Sequence, residues 1–328
     1  VAVVDLASPQ RNLRAQIRAA QFGSFAQSRA NGELYVAETF YSRMTRGERT
    51  DAIAVYDAAT LAQTAEILLP GGRRAQSVTQ VGSFRLVDHD TLGLVFNFTP
   101  AASVTVVDLV ARKVLNEVEI PGCSLVYPTG PRGFFTLCGN GGLTSIQLDP
   151  AGGIASQVDE APFNDIDNDP MFMHAAYAGG TAYFVTFKGS VRPIDASGPA
   201  AKVLPAWSLL SASAEEKTQS WRPSGWQVVA ADDLGRLYVL MQKGGREGSH
   251  KDGGDTVWVF NVASHQRVAE INLGGTYASI EVTHGDKPLL VAAGAAGELL
   301  VLDAASGSRP RTLSGAIVHT PTVLQAAQ

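Results

Sequence analysis

Two cysteines, six histidines and no surplus of positive charge mark this 328-residue chain by what it does without. Charged residues are 17% of the total, below the roughly 25% usual for soluble domains. Lysine and arginine number 26 against 31 aspartates and glutamates, a formal net charge of -5. With no basic stripe to displace counterions from a phosphate backbone, nucleic acid is excluded as a partner. No apolar run reaches the roughly 18 residues that cross a bilayer, because Glu298 interrupts the most apolar stretch, Pro288 to Leu302. No membrane insertion is expected. The histidines (His89, His174, His250, His265, His284 and His319) have neither helical nor hairpin spacing, and neither cysteine lies beside one, which argues against a metal site. The glycine-rich runs Gly139-Asn140-Gly141-Gly142 and Gly244 to Gly254 lack the strand-then-helix setting and Gly-Lys-Ser/Thr ending of a phosphate loop. The acidic run Asp165-Ile166-Asp167-Asn168-Asp169 lacks the downstream glycine and bidentate glutamate of a calcium loop and reads as a solvated connection. No serine stands in a nucleophile elbow, so no catalytic centre is legible in this chain.

What the chain has in quantity is glycine (33) and proline (16), the residues of short strands and tight turns, and an internal repeat. Two or three β-forming residues are followed by Asp, once Asn, and then by two residues that open a turn. The marker falls at Asp5, Asp57, Asp108, Asp149, Asp195, Asn261 and Asp303, a period of about 50 residues, in the range of propeller blades. At a strand end such a side chain accepts hydrogen bonds from the N–H groups of the following turn, so its expected role is structural.

An apolar strand precedes most markers: Leu34 to Val36, Leu92 to Phe96, Phe134 to Leu137, Ala182 to Val185, Leu237 to Leu240 and Leu289 to Val291. Another follows, as in Ala65 to Leu69 and Val268 to Leu273. Seven such units predict an all-β fold, a seven-bladed β-propeller in one domain spanning residues 1–328. The first marker has a trailing strand, Arg14 to Ile17, but none ahead of it. The tail supplies Ile317 to Leu324, so the closing blade is expected to be shared between N- and C-terminal strands. Val1 stands inside a strand, which leads us to expect a processed or incomplete chain with an N-terminal segment missing.

Cys123 and Cys138 are fifteen positions apart and flank the turn Pro128 to Pro131. Neighbouring antiparallel strands would bring their sulfurs together; two buried thiols are the alternative. A disulfide there contributes about 3 kcal/mol in the chain-entropy model and needs an oxidising compartment to persist. Two excursions, Tyr41 to Asp51 and Gln242 to Asp255, are longer than a regular propeller needs and read as partner-binding loops.

The segment Phe40-Tyr41-Ser42-Arg43-Met44-Thr45-Arg46-Gly47-Glu48-Arg49-Thr50-Asp51 resembles the large subunit of methylamine and aromatic amine dehydrogenases. So do Phe98-Thr99-Pro100-Ala101, Gly122-Cys123 with Phe135-Thr136-Leu137-Cys138-Gly139, and Trp221-Arg222-Pro223-Ser224-Gly225-Trp226-Gln227. Asp169-Pro170-Met171-Phe172, Trp207-Ser208-Leu209-Leu210 and Gly248-Ser249-His250-Lys251 look nearer to the aromatic amine branch.

The resemblance implies a periplasmic α₂β₂ enzyme that oxidises primary amines to aldehyde and ammonia and passes electrons to a blue copper protein, azurin or amicyanin. It implies that this chain holds no cofactor and docks a small light subunit bearing tryptophan tryptophylquinone. It pairs Cys123 with Cys138, and it puts Phe22, in Ala20-Gln21-Phe22-Gly23, at the substrate channel, where a rigid ring selects amines by size and Gly23 lets the backbone shift. A non-catalytic propeller scaffold for protein contacts is the competing reading; a self-contained calcium-dependent propeller enzyme is disfavoured because no ligands cluster.

Overall fold

Runs of β-branched and aromatic residues broken every few positions by Gly, Asp or Asn give strands and little else. The structure, a computed structural model, describes residues 1–8, 12–211, 214–308, 310–314, 321 and 323–327. Among these the strands form seven antiparallel sheets, one two-stranded, four four-stranded and two five-stranded. Among the described residues the one α-helix is Ala214–Gln219.

By packing, the chain divides into two compact units. The first comprises Ile17–Ile166 with Ala196–Lys202 and Val1; the second comprises Ala2–Gln16, Asp167–Asp195 and Val203–Gln328. Strands are numbered in chain order, so the two-stranded hairpin β1 (Ala2–Val4) and β2 (Leu13–Gln16) belongs to the second unit.

The first unit carries three four-stranded sheets. They are β3 (Ser24–Gln27), β4 (Glu33–Arg43), β5 (Arg46–Asp57) and β6 (Gln63–Leu68); then β7 (Phe84–Val87), β8 (Leu92–Asn97), β9 (Ser103–Asp108) and β10 (Lys113–Glu119); then β11 (Cys123–Thr129), β12 (Gly133–Cys138), β13 (Leu143–Leu148) and β14 (Ile154–Glu160). Within each sheet the strands pair in sequence order, as short hairpin turns dictate. The second strand is the apolar one: every residue of β8 is buried. The fourth is the exposed edge: β14, Ile-Ala-Ser-Gln-Val-Asp-Glu, is exposed along nearly its whole length and ends on two carboxylates, which discourages pairing with another chain.

At six of the seven positions, Asp195 aside, the repeat marker does what its chemistry predicts. Oδ1 of Asp5, Asp57, Asp108, Asp149, Asn261 and Asp303 accepts N–H groups of the turn that follows, from Ala7, Thr60, Ala111, Ala151, Ser264 and Ser306 respectively, at 2.7–2.9 Å. Four residues beyond the marker, Leu61, Arg112, His265 and Gly307 have φ of 57°, 56°, 59° and 65°. That left-handed residue returns the chain into the next strand, and three of these positions carry a side chain where glycine is the usual choice.

The second unit contains, besides β1–β2, three larger sheets. One is built on Ala176–Ala178, Thr181–Val185 and Ser190–Asp195, with Trp207–Ser208 against the last. In the next, Arg222–Pro223 and Val229–Ala231 both pair with Arg236–Gln242, followed by Gly254–Asn261 and Arg267–Tyr277. The last is Ser279–Val282, Leu289–Ala293, Leu299–Asp303 and Arg311–Leu313. The core of this unit includes Trp258, Tyr238 and Phe260, all at most 2% exposed. Val4, Leu6 and Leu324 pack on one cluster formed by Val291, Ala293, Leu299, Val301 and Leu313. Leu324 exchanges two hydrogen bonds of 3.1 Å with the buried Gln227 side chain, and Arg311 Nη2 donates to Leu6 O. Both ends of the chain therefore meet the same sheet. Much of the expected tail strand Ile317 to Leu324 lies outside the described residues, which leave β1–β2 as a two-stranded hairpin.

One expectation is overturned. Tyr41 to Asp51 is not a loop: β4 and β5 continue through it as an extended hairpin, pairing Thr39 with Asp51, Phe40 with Thr50, Tyr41 with Arg49 and Arg43 with Arg46. The segment is polar enough to read as a loop, yet Phe, Tyr and Thr favour extended backbone, and Met44, at φ 65° and 91% exposed, forms the tip. Between Gln242 and Asp255 the chain is irregular as expected, with a single 3₁₀ turn at Ser249–Lys251. That loop is anchored by the buried Ser249, whose carbonyl accepts from Ser224 Oγ and Gln242 Nε2, both at 2.7 Å.

Candidate functional site

Phe22 occupies a reverse turn closed by the Gly23 N–H donating to Ala20 O at 3.1 Å. It stands third in that turn with φ of 59°, a conformation that turns reserve for Gly or Asn and that is strained for an aromatic residue. Gly23 does not supply the freedom expected of it: its φ is not left-handed. A Cβ there would meet Ala19 Cβ and Ala20 O at 3.2 Å and Val36 Cγ1 at 3.4 Å, so close packing requires the glycine, and the phenylalanine takes the unusual backbone.

Strain of this kind persists only where the surroundings hold it. Arg74 Nη1 donates to Phe22 O at 2.9 Å and Arg74 Nε donates to Thr39 Oγ1 at 3.0 Å. Thr39 Oγ1 donates to Asp51 Oδ1 at 2.6 Å, and Asp51 Oδ1 also receives Arg49 Nε at 3.0 Å. Arg49 Nη2 returns to Arg74 O at 2.7 Å. Thr79 Oγ1 adds a 3.3 Å bond to Gly23 O. Arg74, Thr39 and Asp51 are 3%, 5% and 1% exposed. Burial lowers the Arg74 guanidinium to about 10, partly offset by the Asp51 charge, which leaves it a cation and a donor at neutral pH.

Phe22 opens onto a cleft of about 720 Å³ whose lining includes Phe40, Tyr41, Met44, Tyr56 and Glu38. Glu38, in an otherwise apolar strand, is 3% exposed and accepts the Ala20 N–H at 2.7 Å. Burial pushes its carboxyl above the ordinary range, against the pull of the Ala20 N–H and Arg74. Aromatic faces with an acidic group among them suit a small organic cation. The extended hairpin forms part of this wall, and Tyr41 Oη donates to Gln76 Oε1 at 2.9 Å across it.

Cys123 and Cys138 are directly opposite in β11 and β12, joined as a disulfide with Cα atoms 3.9 Å apart. Cys123 N–H donates to Ile120 O and Cys138 N–H to Gly142 O, so they form a non-hydrogen-bonded pair, the arrangement that brings opposed Cβ atoms closest. The bond lies in a different sheet from the Phe22 turn and staples a hairpin. Asp169, from the acidic run, ties a hairpin instead: its carboxylate accepts Thr186 Oγ1 at 2.9 Å and Lys188 N–H at 2.8 Å. Among the described residues no three His, Cys, Asp or Glu side chains gather as a metal-binding group; His319 lies outside them.

Sequence reasoning missed Arg74, Thr39, Asp51 and Glu38. Glu38 gave a signal, a charge in a run otherwise fit for a core, as did Asp51 in the opposite strand; nothing local marks Arg74.

The family model described as methylamine dehydrogenase heavy chain matches residues 19–328. This chain belongs to the methylamine dehydrogenase heavy chain family. The heavy chain of Methylorubrum extorquens is 30% identical over 78% of this chain and 62% of its own length, and that of Paracoccus versutus is 30% identical over 84% and 65%. The chain thus spans somewhat less than two thirds of these heavy chains. Solved structures show the fold alone: the Pan2 WD40 domain of Neurospora crassa superposes with a TM-score of 0.56 at 11% identity, covering 88% of this chain and 77% of that one. A chain of the mitotic checkpoint complex superposes at 0.54 and 12% identity, over 92% and 80%. WD40 domains are β-propellers whose blades are four-stranded sheets, and the four four-stranded antiparallel sheets here, paired in sequence order, have that form.

The heavy-chain relatives are of the methylamine type, so the lean toward the aromatic amine branch finds no support. The residues behind it serve packing in this structure. Met171 and Phe172 are buried, and Trp207 stacks on His265 with ring centroids 4.8 Å apart. Ser249 anchors its loop.

Proposed function

We propose that this chain is the cofactor-free large subunit of a periplasmic quinoprotein amine dehydrogenase, a single seven-bladed propeller over residues 1–328 whose last blade is shared between its two ends. The packing of Val4, Leu6 and Leu324 on one sheet supports that closure. In this reading the chain docks a light subunit in an α₂β₂ assembly, and the tryptophan tryptophylquinone of that subunit supplies the two-electron oxidation of a primary amine to aldehyde and ammonia. A blue copper protein, azurin or amicyanin, takes the electrons. What this chain contributes is shape: it binds the small subunit and narrows the way to the quinone.

The observation that carries the proposal is Phe22, a half-buried ring in a strained turn at the mouth of a cleft, in a member of the heavy-chain family. Held there, the ring admits amines by cross-section, and the carboxylate and aromatic faces behind it receive them as ammonium ions. The test is Phe22→Ala in the assembled enzyme. A single methylene in a hydrophobic pocket is worth roughly 10- to 200-fold in discrimination, and this substitution removes a whole ring, so the ratio of kcat/KM for a bulky amine to that for methylamine should rise by at least about tenfold. An unchanged ratio would remove Phe22 from the channel.

A further inference from the structure

We infer that Arg74 is a positioning residue for amine selectivity: through Phe22 O and Thr39 Oγ1 it locks the Ala20–Gly23 turn to β4 and so fixes where the Phe22 ring stands. The inference rests on the channel reading of Phe22. Both acceptors of the Arg74 side chain belong to residues that line the cleft, one in the turn and one in the facing strand. The main chain of Arg74 is in turn gripped by Arg49, from the hairpin strand that pairs Phe40 with Thr50 and Tyr41 with Arg49. One buried guanidinium thus ties both walls of the cleft to each other.

The geometry requires arginine. Two donors fixed in one plane reach two acceptors at set directions, which the single ammonium of lysine does not reproduce. A guanidinium buried only to stabilise the sheet would be expected to bond a carboxylate directly, whereas Arg74 is connected to Asp51 through the Thr39 hydroxyl. Its other directed bond ends on Phe22, the one residue of the turn with a left-handed backbone, at φ 59°. If that bond is lost, the turn relaxes and the ring leaves the position that selects.

The experiment compares Arg74→Lys, Phe22→Ala and the double variant, each assembled with the quinone-bearing small subunit. Two readouts are taken: the bulky-to-methylamine ratio of kcat/KM, and amide hydrogen exchange. In Arg74→Lys the ratio should shift by about fivefold, and exchange of a peptide covering residues 19–26, which holds the Gly23 N–H, should speed up by about tenfold while that covering β8 and β9 is unchanged. On the Phe22→Ala background the same substitution should leave the ratio where it is. An equal shift in both backgrounds overturns the inference, as does unchanged exchange in the turn or a rise in exchange throughout the unit, which would make Arg74 merely structural. Local loosening together with a Phe22→Ala ratio equal to wild type is a separate result: it defeats the channel reading itself, and Arg74 loses its role in selectivity with it. Should Arg74→Lys fail to fold, Thr39→Val removes the Nε acceptor at nearly constant volume and is read the same way.

Discussion

Glu38 Oε2 accepts the Ala20 N–H at 2.7 Å, so the turn that presents Phe22 starts on a buried carboxylate. Burial raises that carboxyl above its ordinary range, the neighbouring Glu66 adds to the rise, and Arg74 opposes it. The folded protein then holds this proton more tightly than the unfolded chain does. The resulting stabilisation is complete below the unfolded carboxyl's value and is lost as pH rises through the folded one. Glu38→Gln keeps an oxygen for the Ala20 N–H and has nothing to ionise. Urea midpoints from pH 4 to 8 should therefore show the variant gaining on wild type as pH increases; a gap that moves the other way would contradict the assignment.

The hairpin staple is open to a cleaner measurement. Replacing Cys123 and Cys138 together by alanine reopens a fifteen-position loop and should cost about 3 kcal/mol in urea unfolding. Reductant should lower wild type by a similar amount and leave the variant unmoved. Equal stability of the two proteins under oxidising conditions would show that the bond carries no constraint.

In the second unit, Tyr238 Oη donates to Asp232 Oδ2 at 2.9 Å, and Arg236 Nε reaches the same oxygen at 2.6 Å. Both Tyr238 and Asp232 are buried, and burial together with the Asp232 charge drives the phenol strongly upward. Tyr238→Phe leaves the carboxylate short of a donor and should destabilise by about 1–3 kcal/mol. In an alkaline titration, the number of tyrosines that ionise only on unfolding should be one lower in this variant than in wild type.

Local chemistry was readable before the structure and long-range chemistry was not. Asp57 and Asn261 announce their turns because every partner lies within three residues, and Cys123 and Cys138 because one hairpin brings them together. The bond from Arg74 to Phe22 spans 52 positions, and nothing in Gly71-Gly72-Arg73-Arg74 betrays a buried guanidinium. The segment from Tyr41 to Asp51 misled for another reason: near its tip the hairpin buries neither face consistently, so the alternation that identifies a strand is missing. Gly23 misled because a glycine needed for space and one needed for a left-handed backbone look alike in a sequence.

The proposed function divides the labour between two polypeptides, and amine turnover by the purified chain alone and after assembly with the quinone-bearing light subunit tests it most directly. The isolated chain should be colourless and inert toward primary amines, and the assembled complex should show quinone absorbance and amine-dependent reduction of a blue copper acceptor. Oxidation of amines by this chain without a second polypeptide, or its failure to bind the light subunit, would contradict the account.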